Sequence, residues 1–89
     1  YRLILREEPD LAFMLIRTLM NRVNLAMDKL LSVDPAYIYS CRTNDIYIMV
    51  SSLDIETFKE IVKGNRDYPL TVLKEFSEML DSLNQRMLS

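Results

Sequence analysis

The sequence predicts an α+β fold that is mostly helical: a long helix, a β-hairpin, a short helix and a second long, amphipathic helix. Three observations predict it. Two stretches without an internal Gly or Pro, from Asp10 to about Leu31 and from Pro69 to about Met87, carry apolar residues at helical spacing. Between them, "YIYSCRTNDIYIMVS" is rich in Tyr and Ile and reads as two strands around a turn. Prolines and acidic residues stand where helices begin.

Taken in order, Pro9 suits the first turn of a helix, and Glu7, Glu8 and Asp10 crowd the same end, where the helix dipole favours negative charge. Ala12, Ile16, Leu19, Val23, Ala26 and Leu30 then recur four and three residues apart, a heptad seam. Phe13, Met20 and Met27 form a flanking apolar face, and two such faces ask for a neighbour on each side. Asp34-Pro35 ends the segment, so residues 1–32 are read as helical. The hairpin spans 37–51 with Thr43-Asn44 as its turn. That register pairs Cys41 with Ile46, Tyr39 with Ile48 and Tyr37 with Val50 on one buried face.

Residues 55–88 complete the chain. Asp54 caps a short helix over 55–63, and Gly64, the only glycine, ends it. After the connector Asn65–Tyr68, Pro69 starts the second long helix. Its own seam is Leu73, Phe76, Leu80, Leu83 and Met87, opposite a polar face of Lys74, Glu75, Glu78, Asp81 and Gln85. A shift of 57 lays this seam on the first, Ile16 on Leu73 through Leu30 on Met87, with Tyr1 on Phe58 and Ile4 on Ile61. Pro9 meets Pro69 only at a shift of 60, so the match fits either an internal repeat with three extra residues around Gly64 or two amphipathic helices alike by chance.

Eighty-nine residues make one small domain, or an excerpt of a larger protein, which the start at Tyr1 also suggests. A hydrophobic content of 49% with six Met is a heavy load for so small a core, and oligomerisation is its natural outlet. A net charge of −2 with scattered Lys and Arg gives no field for nucleic acid. No apolar stretch approaches the ~20 residues of a membrane span. A single Cys and no signal-peptide pattern fit a cytoplasmic protein.

Sites of chemistry are scarce. With no His and one Cys, neither a zinc site nor a Cys–His pair is available, and no Gly-rich phosphate loop is present. The carboxylates sit where helix ends and wet faces put them. Cys41 reads as a small hydrophobe, and Tyr37, Tyr39 and Tyr47 read as packing residues ahead of a base-stacking surface. No catalytic residue, cofactor or metal ligand is therefore expected.

"SSLDIETFKEIV", led by a strand and followed by "YPLTVLKEFSEMLDSLNQRML", resembles the end of a cyclic-nucleotide-binding domain, where a short helix leads to a long signalling or dimerising helix. "YRLILREEPDLAFMLIRTLMNRVNLAMDKLL", with Arg22 near the family's usual arginine, looks like the same tail. The family's Gly-Glu phosphate-binding cassette is absent, so no residue is carried over as nucleotide-binding. The resemblance implies a signal-transmitting, non-enzymatic regulatory or assembly module. The residues alone imply association, with a second copy or another protein, through Leu73, Phe76, Leu80, Leu83, Met87, Phe13, Met20 and Met27. The alternative is a small dimeric adaptor that presents its hairpin to a protein partner.

Overall fold

A computed structural model describes residues 7–88. Five helices follow one another: α1 (Pro9–Leu30), α2 (Pro35–Arg42), α3 (Asp45–Ser51), α4 (Ile55–Gly64) and α5 (Tyr68–Leu88). The α+β expectation is overturned, since no strand forms among the described residues. Residues 1–6, including the Tyr1 and Ile4 matches of the proposed repeat, lie outside the described residues.

Residues 37–51 form two short helices in place of the hairpin, and capping explains why. Asp34 Oδ1 accepts the Tyr37 N–H at 3.2 Å while Pro35 occupies the first turn, which fixes the start of α2. Asn44, read as a turn residue, is the cap of α3: its Oδ1 accepts the Ile46 and Tyr47 N–H groups at 2.9 and 3.2 Å. A lone two-stranded hairpin leaves half its backbone groups for water and is marginal without a third strand. The helices satisfy theirs internally and bury Ile38, Cys41 and Val50. The expected hairpin face is divided accordingly: Tyr39 and Ile48 are 72% and 50% exposed.

The remaining boundaries follow the sequence signals. Pro9 stands at the start of α1. Asp54 caps α4 by accepting the Thr57 N–H at 2.7 Å, a bond that holds its carboxyl below the usual carboxylate range. Pro69 lies in the first turn of α5 and is fully buried. Gly64 differs from expectation. It is the last residue of α4, its φ is not positive, and the stop comes at Asn65, with φ −147° and ψ 95°. A Cβ at Gly64 meets nothing within 4 Å. Gly64→Ala should therefore raise stability by about 0.5–1 kcal/mol, because it removes unfolded-state freedom at no steric cost. Thermal unfolding measures the effect, and a loss would mean that the connector needs the glycine's freedom.

The two long helices run parallel, as three contacts along their length establish. Near their N-termini, the Phe58 ring of α4 packs between Phe13 of α1, at 5.2 Å between centroids, and Tyr68 of α5, at 6.1 Å. In the middle, Tyr47 of α3 donates its hydroxyl to Asn24 Oδ1 at 2.6 Å and sets its ring edge-on to Phe76 at 6.3 Å. At the C-terminal end, Arg86 Nη1 donates to Asp34 Oδ2 at 2.9 Å.

Parallel neighbours cannot be joined by a tight turn, so α2, α3 and α4 serve as the return path. They fill one side of the α1–α5 pair. The core they close is aliphatic and aromatic: Ile16, Val23, Met27, Leu30, Ile38, Val50, Phe58, Val72, Phe76 and Leu83 are each at most 1% exposed. No polar or charged side chain is buried among the described residues. The molecule is flat, with extents of 40 × 23 × 16 Å.

Candidate functional site

The eight residues expected to form an interface are divided by this packing. Phe76, Leu83, Met20 and Met27 lie inside the chain's own core, at 0%, 0%, 9% and 0% exposure. Phe13, Leu73 and Leu80 are half-buried against that core, and Met87 is exposed. The two seams thus meet each other within one chain, and only their edges face outward.

A different stripe on α1 is left uncovered. Leu11, Leu15, Thr18, Arg22, Leu25 and Lys29 recur four and three residues apart and all are exposed, with Met14 alongside. This spacing is the same heptad rule as the buried seam, rotated to the other side of the helix. Exposure reaches 63% at Met14 and 62% at Leu25, high for large aliphatic side chains on a helix. Beside the stripe, Leu15, Thr18, Leu19 and Arg22 of α1 face Leu73 and Ser77 of α5 across an open groove of about 420 Å³. The signal was legible in the run Leu11–Ile16. Six consecutive apolar residues cannot all share one face of a helix, so some must point outward.

Two other concavities have ordinary structural explanations. An open cleft of about 220 Å³ is bordered by Tyr37, Cys41, Asn44, Glu75, Glu78 and Met79, among others. Its most reactive group is the Cys41 thiol, beside the hydroxyls of Ser40 and Ser82, and burial pushes that thiol above its usual pKa, outweighing the lowering by the Tyr37 hydrogen bond and the Arg86 charge. The thiol stays protonated at neutral pH. Arg86 stacks on the Tyr37 ring, 3.7 Å from its centroid, while bonded to Asp34. It therefore ties the end of α5 to the start of α2.

The second concavity, at the other end of the molecule, is bordered by Glu7, Pro9, Lys59, Val62, Lys63 and Arg66. Lys59 pairs with Asp10 at 3.2 Å and Lys63 with Glu60 at 3.1 Å. Cations near the C-terminus of α4 favour its dipole without any ligand. No three His, Cys, Asp or Glu side chains converge into a possible metal site among the described residues.

No family model, curated protein or solved structure matches this chain. The strand that the cyclic-nucleotide-binding resemblance places before residue 55 is not formed; helix α3 stands there. Among the described residues, no helix is long and apolar enough to cross a membrane.

Proposed function

We propose that this chain is a non-enzymatic assembly module that self-associates through the outer face of α1. The exposed heptad stripe carries the reading. Leu11, Met14, Leu15 and Leu25 leave apolar surface in water on one side of a helix whose other side is already packed. Covering that surface yields free energy in proportion to the area removed from water. A second copy supplies a matching stripe, and the Leu19–Leu73 groove beside it extends the contact onto α5. The buried seams hold the monomer together and the outer stripe holds monomers to each other, so the two tasks fall on different residues.

The adaptor alternative is withdrawn in its original form, because the hairpin that was to bind the partner is two helices. Sedimentation of the chain from low to high micromolar concentration tests the reading. A mass that rises to twice that of the chain is expected. A single monomeric species throughout that range would overturn it.

A further inference from the structure

We infer that the two copies meet along α1 in antiparallel fashion, about a two-fold axis through Thr18, in a contact that closes at a dimer. This rests on the proposed self-association and adds the partner surface and its direction. About that axis an antiparallel copy sets Leu11 against Leu25 twice, once on each side, with Met14 against Arg22 and Leu15 against Asn21 between them. Met14 is unbranched and adaptable, and the aliphatic stem of Arg22 can lie along it while the guanidinium stays in water.

Charge decides the direction. Arg22 and Lys29 both lie on the exposed stripe toward its C-terminal end, and the exposed acids Glu7, Glu8 and Asp10 cluster at the other end. A parallel copy would bring Arg22 to Arg22 and Lys29 to Lys29, and level like charges across a helix pair oppose association. The antiparallel copy brings Lys29 level with residue 7, where the acidic run begins. Helix dipoles then also run head to tail.

The crossing point is suited to close approach. Thr18 is the smallest side chain of the stripe, and its hydroxyl already donates to the Met14 carbonyl oxygen at 2.9 Å. It brings no unsatisfied polar group into the contact. Because each copy uses the same patch, the contact is isologous and leaves none of that patch to recruit a third chain.

Isotope-filtered NOE spectroscopy on a mixture of methyl-labelled and unlabelled chains tests the arrangement without altering a residue. Leu11 and Leu25 lie fourteen positions apart, about 21 Å along one helix, so a cross-peak between their methyls arises only between copies. That cross-peak is the expected result. Leu11–Leu11 or Leu25–Leu25 cross-peaks in its place would establish a parallel pair, overturning this inference while leaving self-association through α1 intact. Intermolecular cross-peaks confined to other helices, or a chain that stays monomeric, would overturn both.

Discussion

Phe58→Ala is expected to destabilise the fold by about 3–5 kcal/mol. The ring is completely buried and joins the N-terminal ends of both long helices, with Phe13 and Tyr68 on either side. Truncating a buried Phe to Ala costs about 3–5 kcal/mol, through lost transfer energy and the cavity left behind. A domain of this length has a total stability of about 4–13 kcal/mol, so the change removes from about a quarter of it to nearly all. Urea unfolding followed by far-ultraviolet circular dichroism measures the loss. Tyr39→Ser is the control: that side chain is 72% exposed, and its removal should shift stability by no more than about 0.5 kcal/mol. Losses of equal size at the two positions would contradict the assignment of Phe58 to the joint.

Leu25→Lys is expected to dissociate the dimer while leaving each monomer folded. Leu25 is 62% exposed in the single chain, so a Lys there reaches water and costs the monomer little. In the two-fold contact the same Lys replaces an aliphatic side chain at both Leu11–Leu25 crossings, where its ammonium would have to leave water. Dimer affinity should fall by at least about 100-fold, or about 2.7 kcal/mol. Sedimentation reads the affinity and circular dichroism checks the fold. The same substitution at Leu80 is less informative: that side chain is half-buried against the core, so a Lys there disturbs folding and association together. A Leu25→Lys chain that dimerises as its parent does would remove the outer stripe from the interface.

The long helices and their ends were legible because each signal was local. Pro9, Asp54 and Pro69 act through backbone geometry within one turn, and that geometry is the same in any tertiary setting. The middle of the chain was not legible from side-chain preference. Tyr and Ile favour strands where they can pack on a pleated surface, and residues 37–51 have no third strand to provide one. Asp34 and Asn44 are caps in the structure, whereas the sequence reading takes Asp34-Pro35 only as a helix end and Asn44 as a hairpin-turn residue. Burial divides the expected interface residues for a related reason. A heptad seam states that a helix has a partner, and it cannot state whether that partner lies in the same chain. Here α5 packs on α1 of the same chain and Phe76 and Leu83 are buried, and the stripe left over was the one that the Leu11–Ile16 run had to turn outward.

The parallel course of α1 and α5 also sets the order of events during folding. Residues that face each other across the pair stand more than 50 positions apart in the chain: Leu19 and Leu73, which line one groove, are separated by 54. Each doubling of a closing loop costs about 0.6 kcal/mol in entropy, so bringing such a pair together costs about 1.8 kcal/mol more than closing a helical hairpin over about seven residues. The principal contact of the molecule is therefore a late one, made after α2, α3 and α4 have shortened the path between the helices. On a ribosome, α1 emerges before α5, and its buried face waits for that helix. During that interval both sides of α1 are apolar and open. Nascent chains on neighbouring ribosomes thus pass through a stage in which the wrong pair of α1 faces can meet.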